Sequence, residues 1–188
     1  LDDNTLVVFT SDNGSKGEPA GDGGSNAPLR GHKATTWEGG QRVPCIAWWP
    51  GRIPAGRVSR EMLASIDFFP TFCELAGAEI PDNRQRDGLS AADHLLGRTG
   101  KSPRDTFFYY FKNDLCAVRH GKWKLHVHRR GWNGETPLRE LYDLESDIAE
   151  SEDRKEREPE IVAGLEALAE ECRNDIGDTV LGVKGENA

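Results

Sequence analysis

Two adjacent side chains with oxygen donors, Asp12 and Asn13, follow an apolar and β-branched run at residues 5–10. A continuous run of this kind is typical of a strand buried on both faces of a parallel sheet. We therefore expect both side chains at the carboxyl end of that strand, where open α/β sheets bind ligands. A carboxylate beside a carboxamide suits Ca²⁺ or Mg²⁺. An Asx turn explains the same pair without a metal, because Asp and Asn are ordinary turn residues.

A second group of residues suited to chemistry lies between glycines at residues 29–44. Lys33 would place a point charge against an oxyanion, and the glycines would let the backbone approach such a ligand closely. The alternative is a solvated loop in which Arg42 pairs with Glu38, an ion pair worth little. The segment is not a phosphate-binding P-loop, because the G-x-x-x-x-G-K-[ST] spacing is absent.

Two histidines, His126 and His128, alternate on a predicted strand at residues 123–128. They would point to the same face and share a metal in principle. No third ligand lies nearby in the sequence, so solvent-facing histidines are the favoured interpretation. Ser25 and Ser65 lack the G-x-S-x-G surroundings of a nucleophile elbow. The sequence therefore contains no recognisable set of nucleophile, base and orienting residue.

The elements that position these residues alternate between strand and helix. Residues 43–50 predict a second buried strand, bounded by prolines. Residues 67–77 predict a helix in which Asp67 is a possible cap and Gly77 is the stop. This alternation predicts the edge of an α/β sheet for a first domain at residues 1–103.

The pattern changes after Pro103, and residues 104–188 predict a small α+β subdomain. Three short strand-like runs are separated by turn residues, as in an antiparallel meander, at 106–111, 115–119 and 123–128. Pro159 then opens a predicted helix. The residues expected on one face of that helix are Ile161, Leu165, Leu168 and Cys172.

Composition excludes two classes of partner. The chain has 188 residues with 24 basic and 32 acidic side chains, so its formal net charge is −8. Nucleic-acid binding by phosphate neutralisation needs clustered Lys and Arg, which this balance disfavours. No apolar run approaches the roughly 20 residues that span a bilayer. We expect neither a nucleic-acid partner nor membrane insertion.

The cysteines and the first residue say less about function. The four cysteines form no C-x-x-C pair, so free thiols packed as small hydrophobic groups are favoured over disulfides or a zinc ribbon. The chain starts at Leu1 rather than Met and enters an apolar run within four residues. We therefore expect it to be cut from a longer protein.

Several segments, taken in order, resemble the sulfatase family, and the resemblance is closest to the arylsulfatase A type. One of them is Thr-Trp-Glu-Gly-Gly-Gln-Arg-Val-Pro at 36–44, which is followed by Trp-Pro-Gly at 49–51. The segments that carry the resemblance are 7–14, 29–33, 36–44, 49–51, 67–71, 75–77, 87–90, 117–126 and 140–144.

The resemblance implies a fold and an activity. The fold would be the carboxyl-terminal part of an alkaline-phosphatase-like α/β core with a small antiparallel subdomain. The activity would be formylglycine-dependent hydrolysis of sulfate esters with a divalent cation, usually Ca²⁺, with Mg²⁺ possible. The expected substrate is a sulfated small molecule or sulfated sugar. The expected compartment is periplasmic, secreted or lysosomal.

The resemblance also implies roles for four residues. Asp12 and Asn13 would be metal ligands. Lys33 would contact the sulfate oxygens, as a substrate-binding and catalytic residue. A histidine in the position of His126 would lie near the substrate pocket.

The nucleophile motif of the family, Cys/Ser-x-Pro/Ala-x-Arg, is absent from the sequence. Cys45 has Ala47 in the third place but Trp49 where arginine is required. The formylglycine, two further metal-binding aspartates and the basic residues around them would lie in a missing amino-terminal half of the same protein. The isolated chain is therefore expected to be inactive. The alternatives are a phosphomonoester or phosphonate hydrolase of the same superfamily, or a noncatalytic sulfate- or glycan-binding fragment.

Overall fold

The computed structural model describes residues 2–17, 23–81, 83–131 and 134–187, without the side chains of 129–131 and 134–137. The chain forms two compact units. The first comprises Leu1–Thr10 and Pro44–Asp105, and the second comprises Ser11–Val43 and Thr106–Ala188. The structure groups segment 11–43 with the residues after 105. The predicted domain boundary between residues 103 and 104 stays a prediction.

The first unit contains a two-stranded sheet of β1 (Val7–Thr10) and β2 (Cys45–Trp48). Both strands were predicted, but β1 was expected to be parallel and buried on both faces. In the described residues it pairs antiparallel with β2, and Phe9 is 68% exposed. A run of apolar residues indicates a strand without specifying its neighbours, so this part of the interpretation was wrong.

A helix, α2 (Phe68–Ala76), follows a 3₁₀ turn at Ser65–Asp67 in the same unit. The predicted stop is confirmed, because Gly77 adopts a left-handed conformation with φ of 66°. The Asp67 side chain does not cap α2. Its buried carboxylate instead accepts hydrogen bonds from the main-chain N–H of Leu89 at 2.8 Å and from Arg104 at 2.6 Å. The remaining helical segments of the unit are a 3₁₀ turn at Asp2–Asn4 and α3 (Ala92–Leu95).

The second unit is built on a four-stranded antiparallel sheet in the order β3–β4–β5–β6. Its strands are β3 (Thr106–Phe111), β4 (Asp114–His120), β5 (Trp123–Gly131) and β6 (Gly134–Asp143). The predicted meander is confirmed for the first three strands, whereas β6 was not predicted as a strand. After the last strand of the sheet, the chain forms α4 (Pro159–Ile176) and then a short hairpin of β7 (Gly177–Asp178) and β8 (Val183–Lys184).

The core of this unit lies between the sheet and α4. The predicted helix starts at Pro159 as expected, and Leu165 and Cys172 are buried, whereas Ile161 and Leu168 are partly buried against the same cluster. The buried residues of the core are Leu115, Val118, Leu125, Leu141, Val162, Leu165, Ala169 and Cys172. Among the described residues no helix is both long and apolar enough to cross a membrane.

Segment 11–43 contributes one short helix, α1 (Glu38–Gln41), to the second unit. Residues 14–31 contain no helix or strand in their described parts, and residues 18–22 lie outside them. The candidate residues Asp12, Asn13 and Lys33 all belong to this segment. Its position is therefore what sets the geometry of the candidate site.

Candidate functional site

Asp12 and Asn13 lie directly after β1, as the sequence predicts. Asp12 is exposed and Asn13 is half-buried. The Ser11 hydroxyl donates to the Asn13 main-chain oxygen at 2.9 Å, and the Asn13 Nδ2 donates to the Gly14 oxygen at 3.3 Å. No described Lys or Arg forms an ion pair with the Asp12 carboxylate. The side-chain amide nitrogen of Asn13 thus donates a hydrogen bond within the turn, whereas the carboxylate of Asp12 is exposed to solvent.

Main-chain contacts join this turn to α1. The Gly14 N–H donates to the Gly40 oxygen at 3.0 Å. A Cβ atom added to Gly14 would lie 1.7 Å from the Gly39 oxygen, far inside van der Waals contact. A side chain at residue 14 would therefore push the turn after Asn13 away from α1, so this position requires glycine.

Lys33 is attached to the same turn through its backbone. Its N–H donates to the Ser15 oxygen at 2.9 Å, two residues after Asn13. The Asn26 side chain also donates to the Ser15 oxygen at 3.1 Å and to the Gly31 oxygen at 3.2 Å. The Lys33 side chain is exposed, and no described carboxylate pairs with it. The structure therefore brings three of the four predicted site residues into one loop cluster.

The fourth predicted residue, His126, is placed differently. It is fully buried, with its ring centroid 4.1 Å from that of Trp37 and its Nε2 2.8 Å from Glu150 Oε1. The solvent-facing interpretation is therefore wrong for His126, and His128 is half-buried beyond a bulge in β5. A substrate contact by His126 stays a prediction, and the observed role of its ring is packing against Trp37 and Glu150.

A group of buried charges that sequence reasoning missed surrounds this histidine. We call Glu38, Lys124, His126 and Glu150 the buried charge cluster, because each is at most 1% exposed. Lys124 Nζ lies 3.0 Å from Glu38 Oε1 and 2.9 Å from Glu150 Oε1. It also donates to the Thr36 main-chain oxygen at 2.8 Å. One ammonium group is thus shared between two carboxylates and one carbonyl.

The protonation states in the cluster follow from these contacts. Burial raises the pKa of Glu38, but Lys124 and Arg119 outweigh that effect, so its pKa lies below the ordinary value. Burial and the charge of Lys124 lower the pKa of His126 to about 4 despite the opposing Glu150 carboxylate. Glu38 is therefore ionised and His126 neutral at pH 7. A neutral ring that donates from Nε2 leaves Nδ1 unprotonated, and Nδ1 has no partner among the described residues.

Two further groups bind Glu38 from its other sides. The Tyr109 hydroxyl donates to Oε1 at 2.8 Å, and Arg119 Nη1 lies 3.4 Å from Oε2. Burial and the Glu38 carboxylate keep the pKa of Tyr109 well above its ordinary value, so the hydroxyl remains a donor. The predicted pairing of Arg42 with Glu38 is confirmed at 3.8 Å.

Comparison with known proteins identifies the family. The sulfatase family model matches residues 1–78, which contain Asp12, Asn13 and Lys33. N-acetylgalactosamine-6-sulfatase of Canis lupus familiaris is 47% identical over 127 residues, covering 67% of this chain and 24% of that protein. Arylsulfatase A of Bos taurus is 46% identical over 132 residues, covering 68% of this chain and 25% of that protein. This chain belongs to the sulfatase family.

A solved sulfatase structure has the same fold. The crystal structure of the PsFucS1 sulfatase from Pseudoalteromonas sp. superposes with a TM-score of 0.80 at 30% identity, covering 90% of this chain and 36% of that one. The chain thus has the α/β sulfatase fold with its antiparallel sheet. It spans about a quarter of the length of the curated sulfatases that it matches.

The described residues contain no Cys/Ser-x-Pro/Ala-x-Arg motif. Cys45, which the sequence placed in a buried strand, is exposed at the start of β2. In the first unit Ser59 Oγ lies 3.0 Å from His94 Nε2, but Arg57 Nη2 lies 3.3 Å from His94 Nδ1. Because arginine only donates, Nδ1 accepts, and the neutral ring carries its proton on Nε2. His94 therefore cannot act as the base for Ser59.

The donor chemistry at Asp12 and Asn13 fits part of a cation site. A Ca²⁺ ion takes six to eight oxygen ligands, and carboxylate and carboxamide oxygens are among its usual donors. The described residues contain no group of three or more acidic, histidine or cysteine side chains that would hold a metal. Asp12 and Asn13 offer two such donors, fewer than a Ca²⁺ ion takes.

Proposed function

We propose that this chain forms part of a sulfuric ester hydrolase, in which Asp12 and Asn13 bind a divalent cation and Lys33 binds the sulfate group. One observation carries the proposal: the main-chain hydrogen bond from the Lys33 N–H to the Ser15 oxygen joins the turn after Asn13 to the turn of Lys33, while Asp12 and Lys33 stay exposed. Charges without an ion-pair partner among the described residues, beside a fixed backbone, are available to a ligand.

The chemistry of the site divides between these residues. A bound Ca²⁺ or Mg²⁺ supplies positive charge toward the sulfate oxygens. The Lys33 ammonium neutralises the same oxyanion from the protein side and stabilises the charge that develops as the ester bond breaks. The nucleophile, a formylglycine by family resemblance, would be carried by the part of the protein that this chain does not span.

The proposed substrate is a sulfated sugar or another sulfated small molecule. The name of one relative, N-acetylgalactosamine-6-sulfatase, supports a sugar substrate. The proposed partner of this chain is the amino-terminal part of the same protein, and the proposed compartment is lysosomal, periplasmic or secreted. A net charge of −8 supports the expectation that no nucleic acid is bound.

The proposal is tested by turnover in the intact protein. Hydrolysis of 4-nitrophenyl sulfate is compared with that of 4-nitrophenyl phosphate, before and after chelation with EDTA and readdition of Ca²⁺. We expect faster turnover of the sulfate, loss with EDTA and recovery with Ca²⁺. Preference for the phosphate would assign the protein to phosphomonoester hydrolases, and metal-dependent sulfate binding without turnover of either ester would leave a binding protein.

A further inference from the structure

The buried charge cluster is at most 1% exposed, yet it is connected to the candidate site. Its members belong to three separate stretches of chain: α1, β5 and the loop at Glu150. The main-chain N–H of Glu38 donates to Glu150 Oε2 at 2.8 Å, so the cluster fixes the backbone of α1 as well as its side chain.

Two main-chain hydrogen bonds lead from α1 to the site. The Gly40 oxygen accepts the N–H of Gly14, the residue after Asn13, at 3.0 Å. The Gly39 N–H donates to the Arg30 oxygen at 2.7 Å, at the start of the segment that carries Lys33. Any shift of α1 therefore moves both the Asn13 turn and the Lys33 segment.

Arg30 strengthens the second of these links. Its Nη1 donates to the Glu150 main-chain oxygen at 2.6 Å, and its guanidinium lies 3.8 Å from the centroid of the Trp37 ring. The residue is thus held by its main chain to α1 and by its side chain to the loop of the cluster. Lys33 follows three residues later and has no other described anchor besides Ser15 and the turn at residues 32–35.

Stability alone does not explain why charges occupy this place. Two buried carboxylates and an ammonium group have a large desolvation penalty, and apolar residues of similar volume are often as stabilising. Ion pairs and charge-assisted hydrogen bonds differ from apolar contacts in having one preferred geometry. A cluster of this kind therefore specifies the position of α1 more narrowly than an apolar contact would.

We infer that the buried charge cluster positions Lys33 relative to Asp12 and Asn13 through α1, with Glu38 as the positioning residue. Its catalytic consequence rests on the proposed function. Glu38 is buried and acts through the backbone of Gly39 and Gly40.

A double-mutant cycle in the intact protein tests the catalytic part. Glu38→Gln keeps the shape of the side chain and removes its charge. We expect it to lower kcat/KM for 4-nitrophenyl sulfate about tenfold, and less than twofold when Lys33→Ala is already present, because interacting residues are not additive. Arg139→Met, which removes an exposed ion pair from the same unit, serves as the control and should leave kcat/KM unchanged. Additive effects of Glu38→Gln and Lys33→Ala would overturn the inference.

Hydrogen exchange tests the positioning without any assay of activity. In Glu38→Gln, peptides covering residues 11–17 and 29–35 should exchange about tenfold faster, while those covering β3 and α4 stay protected. Glu150→Gln removes a charge from the same cluster and should give the same pattern. Unchanged exchange at both peptides, or loss of protection throughout the second unit in both variants, would overturn the inference. An intact protein that hydrolyses no sulfate ester contradicts the proposed function but leaves this exchange test decisive.

Discussion

The second unit contains two groups of polar residues that differ in their relation to water. Asp12, Asn13 and Lys33, which we call the polar rim, are exposed or half-buried, and no described ion pair involves them. The buried charge cluster is at most 1% exposed, and each carboxylate in it binds a cation or histidine within 3.0 Å. Glu38 of the cluster lies on α1, which main-chain hydrogen bonds join to Gly14 and Arg30 in the segments that carry the polar rim.

This difference separates residues that can bind a ligand from residues that hold the structure. An exposed charge keeps its hydration and can exchange it for a ligand, whereas a buried charge must be paired by the protein itself. Substitutions in the cluster should therefore change stability first, and substitutions in the polar rim should change activity first.

The largest effect is expected from Lys124→Met. The change removes the cation shared by Glu38 and Glu150 and leaves two buried carboxylates competing for fewer partners. Breaking a buried ion pair in this way is expected to lower the free energy of unfolding by about 3–5 kcal/mol. Urea unfolding of the intact protein, followed by circular dichroism, measures it. A loss below about 1 kcal/mol would mean that Lys124 contributes no more to stability than an exposed charge does. The buried charge cluster and the polar rim would then not differ in their effect on stability.

The neutral state of His126 predicts a pH dependence of stability. Its pKa is about 4 in the folded chain, compared with an ordinary value of 6.5, so the unfolded chain binds more protons between these pH values. The stabilisation is complete above pH 6.5 and is lost as the pH falls toward 4, by about 3 kcal/mol in total. Unfolding free energies at pH 7 and pH 4.5 measure this loss.

Two histidine variants separate this contribution from other titrations. His126→Gln should flatten the dependence between pH 7 and pH 4.5, whereas His32→Gln, at an exposed position of the Lys33 turn, should leave it unchanged. If His126→Gln unfolds with the same pH dependence as the parent protein, the buried ring is not the group responsible.

The polar rim predicts the opposite balance between activity and stability. Lys33→Ala removes an exposed ammonium without a described carboxylate partner, so the free energy of unfolding should stay within about 0.5 kcal/mol of the parent value. Losing one charged contact to a developing oxyanion lowers kcat by about a hundredfold. Steady-state kinetics with 4-nitrophenyl sulfate measures the effect. Lys184→Ala, at another exposed lysine of the unit, is the control, and equal activity of the two variants would exclude Lys33 from the site.

The fold was predictable where local pattern decides it. Short apolar runs separated by turn residues predicted β3, β4 and β5, and Gly77 predicted the end of α2. The strand β6 was missed because its ten residues include Pro137 and several charges, which are typical of loops. The pairing of β1 was wrong because strand neighbours are set by residues elsewhere in the chain.

The candidate site was predictable for a different reason than the cluster beneath it. Residue type and family resemblance predicted a site at Asp12, Asn13 and Lys33. The roles of these residues stay predictions. Lys124 and Glu150 lie 86 and 112 residues from Glu38 in the sequence, so no spacing rule joins them. The only local signal was a lysine between the apolar residues Trp123 and Leu125, on a strand whose histidines were interpreted as solvent-facing.

The smallest effect is expected from Arg139→Met, which tests whether burial or contact distance determines how much an ion pair stabilises the folded unit. Arg139 Nε lies 2.8 Å from Glu166 Oε1, as short as the contacts in the cluster, but the two side chains are 63% and 42% exposed. An exposed pair gains little because water solvates both partners in the unfolded chain and around the folded one. The free energy of unfolding should therefore fall by at most about 1 kcal/mol, and less at high salt. A loss as large as that of Lys124→Met would mean that contact distance, rather than burial, determines which charges support this unit.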